Sequence, residues 1–307
     1  MDARAQVTEV VAAARRPVRR RRVNLFPYLF ISPFYVLFLF FGAFPIVFSL
    51  YISFHNWTGI HPGPFVGFIN YGIILHDPSF FTALVNTFIL GVGYIPIMLI
   101  MALGLAYMLN LPWVRGRYLV RTICFLPIVT SLVVAALVFS YIFDPQFGVL
   151  NALLTALGLP KVDWLGNPAL EKPSLIMVEL WRWVGYNMVI MLAGLQSIDP
   201  VLYEAARVDG ANAWQLFSRI TIPLMRPIII FATILSTIGT FNLFDESYIL
   251  FTSSGGVNQQ GLTLGVFIYR TAFQYFKFGQ ASATAYLVAV FIFALAMIQL
   301  WYGRRSA

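Results

Sequence analysis

Apolar residues run along this chain in long blocks, and the polar residues gather between the blocks. Residues 23–76 contain no Asp, Glu, Lys or Arg, and within them 28–52 are strongly apolar. A helix needs about 20 apolar residues to cross the roughly 30 Å hydrocarbon layer of a bilayer. By that measure the pattern predicts six spans, over 28–52, 80–109, 122–143, 174–198, 228–251 and 279–302. Gly91, Gly93 and Pro96 predict a kink in the second. Glu179 and Arg182 interrupt the fourth, and the fifth is uncharged until Asp245.

Shorter periodic stretches lie between the spans. Asp199-Pro200 reads as a helix start, with Asp as N-cap and Pro in the first turn. Val201, Leu202, Ala205 and Ala206 then share one face, and Gly210 suits the left-handed residue that closes a helix. Asn212 caps a second short helix, in which Ala213, Leu216, Phe217 and Ile220 recur at helical spacing. Pro223 and Pro227 are expected to break it before the fifth span. Residues 199–227 therefore predict two short amphipathic helices joined at a glycine. Val149, Leu150, Leu153, Leu154 and Leu157 predict another short helix lying on a membrane surface.

Composition supports a lipid environment. Of the 307 residues 60% are hydrophobic and only 10% charged, against about 25% charged in soluble domains. The net charge of +8 comes from basic residues placed before and between the apolar blocks, which argues against a nucleic-acid partner. Lys and Arg are enriched in cytoplasmic loops. Arg4, Arg15, Arg16 and Arg19 to Arg22 precede span one, and Arg115, Arg117 and Arg121 follow span two. Arg207, Arg219 and Arg226 follow span four, and Arg304 and Arg305 follow span six. Fifteen of the twenty basic residues thus fall on one side, so both termini and the 199–227 segment are expected in the cytoplasm. The N-terminal run precedes an apolar stretch too long for a signal peptide. Residues 1–22 therefore read as a basic cytoplasmic segment that anchors topology and touches anionic lipid, and 23–307 as the transmembrane domain.

Candidate chemistry is sparse. The lone Cys124 excludes an internal disulfide. His55, His61 and His76 share one loop at a spacing poor for metal. No Gly-x-x-x-x-Gly-Lys-Ser/Thr phosphate loop is present. Ionisable groups inside a span are functional candidates by default. At 1.5 Å per residue, Arg182, Glu179 and Asp245 all lie about 24–28 Å from the cytoplasmic end. One reading is a structural ion pair of Arg182 with Asp245 or Glu179, beside an aromatic belt from Trp181 and Trp183. The other is a solute-contacting cluster of Trp181, Arg182, Tyr186, Asn187, Asn242 and Asp245, which offers the aromatic faces and amide or carboxylate groups that bind sugars. The segment around Glu204, Arg207 and Asp209 has small residues and both signs of charge, which suits a protein groove better than a lipid surface.

That segment, "EAARVDGANAWQLFSRITIPLMRP", resembles the EAA loop of permease subunits from binding-protein-dependent ABC importers. Glu204, Ala205, Ala206, Gly210, Ile220 and Pro223 carry the match, and Ile222 stands where leucine is usual. "FVGFINY" and "GVLNALLTALGLPKVDWLGNPAL" resemble outer loops of sugar-importer permeases related to the larger maltose permease subunit. "TSSGGVNQQ" departs from the usual threonine-glycine-glycine-proline. The resemblance implies an all-α integral membrane protein of the type I ABC importer permease fold, with six transmembrane helices in a bacterial or archaeal cytoplasmic membrane. It implies a transport subunit without a cofactor of its own and not an enzyme. ATP and Mg would be held by two partner ATPase subunits. A second permease subunit and an extracytoplasmic solute-binding protein would complete the importer. Glu204, Ala205, Ala206, Asp209 and Gly210 would then couple to an ATPase. The alternatives are a secondary transporter of a polar solute that works without an ATPase, and a polytopic membrane enzyme.

Overall fold

The computed structural model describes residues 26–59, 63–111, 114–252 and 254–305. The basic segment 1–22 and His61 lie outside them. Contacts divide the chain into two units, residues 1–48 and 49–307. The described part of the first is helical. Helix α1 runs from Phe26–Phe38 through a wide π turn, Leu39–Ala43, into Phe44–Ser53.

In the second unit, α2 (Ile69–Ile74) precedes the long α3 (Pro78–Asn110). Asp77 caps α3, its Oδ1 accepting from Ser79 N at 2.8 Å, with Pro78 in the first turn. The helix continues unbroken past Gly91, Gly93 and Pro96. Next come α4 (Arg117–Val129), α5 (Leu132–Ile142), α6 (Val149–Ala156) and α7 (Glu171–Gln196). Then follow α8 (Pro200–Val208), α9 (Ala213–Phe241), α10 (Asp245–Phe251), α11 (Leu264–Tyr269) and α12 (Phe278–Arg305). Among the described residues five helices are long and apolar enough to cross a membrane, or six if α4 and α5 form one span.

Two expected spans differ in shape. The third is not one rod: α4 and α5 meet at a 100° bend. Thr130 and Ser131 take extended ψ values of 138° and 131°, which ends one helix and starts another. The fifth span ends at Phe241 rather than 251. Residues 242–244 form a turn, so Asp245 opens a separate helix. At its other end the span starts early. The short helix expected over 213–220 merges into α9 through a π turn at Phe217–Thr221. Pro223 and Pro227 do not break it. Proline lacks an N–H to donate one turn back. Here the π turn ends two residues before Pro223, just as the turn in α1 ends two residues before Pro45, so the shifted register absorbs the missing donor.

Helices α3 and α7 lie side by side. Ala102, Ala106 and Leu109 pack with Met188, Met191, Leu192 and Leu195, and Met225 of α9 joins them. Small residues set the approach. A Cβ on Gly185 would stand 1.6 Å from the Cys124 carbonyl of α4, and one on Gly194 would stand 2.3 Å from Ile228. Asn110, Gln196 and α8 share one end of the bundle, so Arg115, Arg117 and Arg207 gather there.

At the opposite end buried polar side chains organise the loops. Asn151 is fully buried. Its Nδ2 donates to the carbonyls of Pro145 and Val162, and its Oδ1 accepts from Val162 N at 3.0 Å. The N–H groups of Phe147 and Gln146 hold the Asp144 carboxyl below the usual carboxylate range. Helix α6 forms as expected: Val149, Leu153 and Leu157 make an exposed apolar stripe, and Leu150 at its edge packs inward. Buried Glu171, at the start of α7, accepts from Val257 N at 2.6 Å, and Asn86 of α3 donates to the Gln259 and Leu262 carbonyls. These bonds pin the 254–263 loop, where Asn258 and Gln259 hold φ of 54° and 59°.

The packing gives a paired test. Gly185→Ala forces α4 away from α7 and should lower the thermal midpoint of the purified protein, by an overpacking penalty of about 1–3 kcal/mol. Gly104→Ala, where an added Cβ meets nothing within 4 Å, should leave the midpoint unchanged or slightly raised.

Candidate functional site

Within the 199–227 segment, α8 forms an exposed, internally braced helix that precedes the start of α9. Asp199 Oδ1 accepts from Val201 N at 2.9 Å, and Pro200 occupies the first turn. Gly210 ends the helix at φ +83°. A Cβ there would meet nothing within 4 Å. Within this chain, then, the backbone angle and not a close approach is what favours glycine. Asn212 and Gln215 form a reciprocal capping box at the start of α9.

Sequence reading missed the brace. The Tyr203 hydroxyl lies 3.0 Å from Thr221 Oγ1, and that hydroxyl donates to the Leu216 carbonyl at 3.3 Å. Tyr203 therefore donates, and it ties α8 to the π turn of α9. Most of the rest of α8 is exposed. Val201, Leu202 and Val208 are 62%, 45% and 88% exposed, as is Trp214 beyond the glycine at 72%. Glu204, Ala205, Asp209 and Gly210 are exposed and Ala206 is half-buried. Glu204 and Arg207 border a cleft of about 360 Å³ with Asn110, Gln196 and Tyr203. A helix that keeps its backbone capped while leaving apolar side chains bare is built to be covered by something else.

The polar groups within the spans do not form one cluster. Tyr186 and Asn187 are brought together, lining a cavity of about 40 Å³ with Tyr94, Trp183, Ser236 and Gly239. Asn187 is buried and its Nδ2 donates to the Trp183 carbonyl at 3.1 Å. Trp183 meets Tyr186 edge-on, with ring centroids 5.8 Å apart. The cavity has room for no more than a few water molecules and is too small for a sugar in this conformation.

The other candidates stand apart. Trp181 points away, 41% exposed, with its ring against Phe139; Trp183, two residues on, takes the place expected for it. Asn242 is exposed, bonded to the Ile238 carbonyl at 2.8 Å, and borders a different groove with α12. The expected pairing of Arg182 with Asp245 or Glu179 does not form. Arg182 Nε lies 3.8 Å from Glu246 Oε1, and Arg182 Nη1 donates to the Thr130 carbonyl at 3.3 Å. The reason is the break at 242–244. It starts a new helix, in which Glu246 is buried and Asp245 only half-buried. The adjacency of two acids was visible in the sequence, but the turn that selects between them was not.

Among the described residues no cluster of His, Cys, Asp and Glu fits a metal ion. The site consists of an exposed, capped helix at one end and a small polar cavity within the spans, joined by α7 and α9.

Comparison with known proteins gives matches along most of the chain. Residues 98–306 match the family described as "Binding-protein-dependent transport system inner membrane component". The chain is 39% identical over 297 residues to the lactose transport system permease protein LacF of Rhizobium radiobacter, covering 96% of this chain and 99% of that one. It is 36% identical over 278 residues to the arabinooligosaccharides transport system permease protein AraP of Halalkalibacterium halodurans, covering 90% and 86%. Among solved structures it is similar to a chain of a bacterial alginate ABC transporter, crystallised in complex with an alginate pentasaccharide-bound periplasmic protein. There the TM-score is 0.79 and the identity 27%, over 91% of this chain and 93% of that one.

The brace is testable alone. Tyr203→Phe removes one hydrogen bond of about 1 kcal/mol. Amide exchange over 200–208 should quicken severalfold, with exchange in α3 and α7 unchanged.

Proposed function

The chain belongs to the family of binding-protein-dependent transport system inner membrane components, and from that premise we propose how it works. It is a transport subunit, the permease of a binding-protein-dependent ABC importer. Its solute is a sugar or a related polar molecule, as the lactose and arabinooligosaccharide names of its relatives suggest. It forms half of the solute path, and a second permease subunit supplies the other half. Two ATPase subunits bind ATP and Mg and do the hydrolysis, and an extracytoplasmic protein delivers the solute. The membrane is the cytoplasmic membrane of a bacterium or archaeon. The arginines around α8 support a cytoplasmic position for that end.

The observation that carries this reading is α8. Its backbone is capped at Asp199 and closed at Gly210, and its hydroxyl brace runs to α9, while Val201, Leu202 and Val208 stand uncovered. The covering surface is a cleft of one ATPase. Glu204 makes a charge-assisted contact there, and Ala205 and Ala206 allow the close seat. When ATP closes the ATPase pair, α8 is drawn along. Because α8 joins α7 and α9 through short braced connections, the spans swing as a body and access passes from one side to the other. Within the spans Tyr186 and Asn187, with Trp183, are the solute contacts, and their cavity widens in another state of the cycle.

Two substitutions test this. Gly210→Val places a β-branched residue at positive φ, a conformation such residues adopt only as outliers. The importer should assemble and hydrolyse ATP while uptake falls at least about tenfold. Uptake at the wild-type rate would remove α8 from the coupling role. Asn187→Ala should lower the transport rate or shift competition among solutes, with assembly intact.

A further inference from the structure

Three buried polar side-chain atoms on α7, on Glu171, Glu179 and Arg182, lack hydrogen-bond partners, and the last two residues are one turn apart. Arg182 Nε and Glu179 Oε1 are shielded from solvent and neither makes a hydrogen bond. The residues are 7% and 5% exposed. Buried groups are nearly always satisfied, so each orphan calls for a cause. One is a donor and the other an acceptor, and residues at i and i+3 on a helix are neighbours. If the guanidinium turned toward Glu179, each would complete the other.

In this conformation Arg182 is drawn elsewhere by two loose contacts. Its Nη1 reaches the Thr130 carbonyl at 3.3 Å and its Nε lies 3.8 Å from Glu246 Oε1. The first is at the long end for a hydrogen bond and the second is beyond one. The groups facing Glu179 are Arg182 and Trp183 from its own helix, Glu246 from α10 and Tyr94 from α3. Asp245 stands beside Glu246. Arg182 is the cation among them.

These contacts sit on a seam. Helix α10 packs extensively on α5 but only lightly on α7, whereas α3 and α4 pack closely along α7. Parting the α5–α10 pair from α7 therefore opens few backbone approaches, but it does open one apolar cluster, Leu250 and Phe251 with Leu175 and Val178, and the Phe139–Trp181 ring contact. Arg182 adds a further penalty to parting, since a buried guanidinium stripped of its counter-ion is strongly unfavourable.

We propose that Glu179 is a positioning residue of the transport cycle, the second acceptor to which Arg182 passes from Glu246 when α10 parts from α7. The exchange keeps the guanidinium paired in both states, so the seam opens and closes without stranding a charge. It involves no covalent step. The proposal rests on the alternating-access reading above and adds the residue that balances the two states.

The test uses the complete transporter in proteoliposomes. Cys124→Ser is combined with Leu250→Cys, a buried position on α10 that clusters with Leu175 and Val178 of α7. The readout is the rate at which a membrane-impermeant maleimide labels that cysteine. Glu179→Gln removes the charge of the second acceptor and should slow labelling at least about fivefold, a typical coupling factor. Glu246→Gln removes that of the first and should speed labelling by a similar factor. Glu179→Asp keeps the charge on a shorter arm and should fall between wild type and Glu179→Gln. That variant carries the test if the amide fails to assemble, and wild-type labelling in it would then overturn the proposal. Shifts of the same sign in Glu179→Gln and Glu246→Gln, or no shift in either, would also overturn it and leave the transport reading standing. Labelling of the parent that does not respond to ATP and binding protein would overturn the swing itself, and the proposal with it.

Discussion

Lipid offers no hydrogen bonds, so a chain that bends inside a membrane must satisfy the freed backbone groups from its own side chains. That constraint decides where this protein departs from straight helices. At the α4–α5 bend the Thr130 carbonyl receives Arg182. After α9 the Ile238 carbonyl receives Asn242 and the Leu243 carbonyl receives Thr263. In α1 and α9 the register widens ahead of Pro45 and Pro223. Each departure has a named donor or a local shift that offsets it, and the polar residues that look isolated in the sequence are often those donors.

The same constraint separates rigid parts from movable ones. Helices α3 and α7 are joined by small residues and methionines along their length, and no polar contact is needed to hold them. The seam between α10 and α7 is shorter, one apolar cluster and one long ion contact, so it is the place where the bundle can yield. At the other end α8 is stiff within itself and bare on its outside. A bare, stiff helix fixed to two spans transmits displacement to both, which is what an importer driven from outside its own chain requires.

Spans one, two, four and six were legible because twenty apolar residues in a row have few other homes. Helix α8 was legible to the residue, since Asp199-Pro200 and Gly210 each specify one backbone state. The bend at Thr130–Ser131 was not, because two small polar residues are tolerated inside a span and only the carbonyl's partner, 52 residues away, shows that the helix stops. The end of α9 was hidden for a similar reason. Asn242 reads as a pore residue in sequence and acts as a terminator in the fold. Pro223 misled in the other direction, because the π turn that accommodates it leaves no mark in composition. Of the intramembrane candidates, Tyr186 and Asn187 lie on the one helical face that meets Ser236, whereas Trp181 sits on the opposite face. Helical spacing alone does not say which face meets a neighbour.

The central claim is that α8 is the surface through which work enters from a nucleotide-hydrolysing partner. Its most direct test is a photo-activated cross-linker on Ala206→Cys, fired in membranes of cells that carry the whole transporter. The account predicts an adduct with an ATPase subunit, formed from the cytoplasmic side. An adduct with lipid alone, or labelling of that cysteine from outside intact cells by an impermeant reagent, would contradict it.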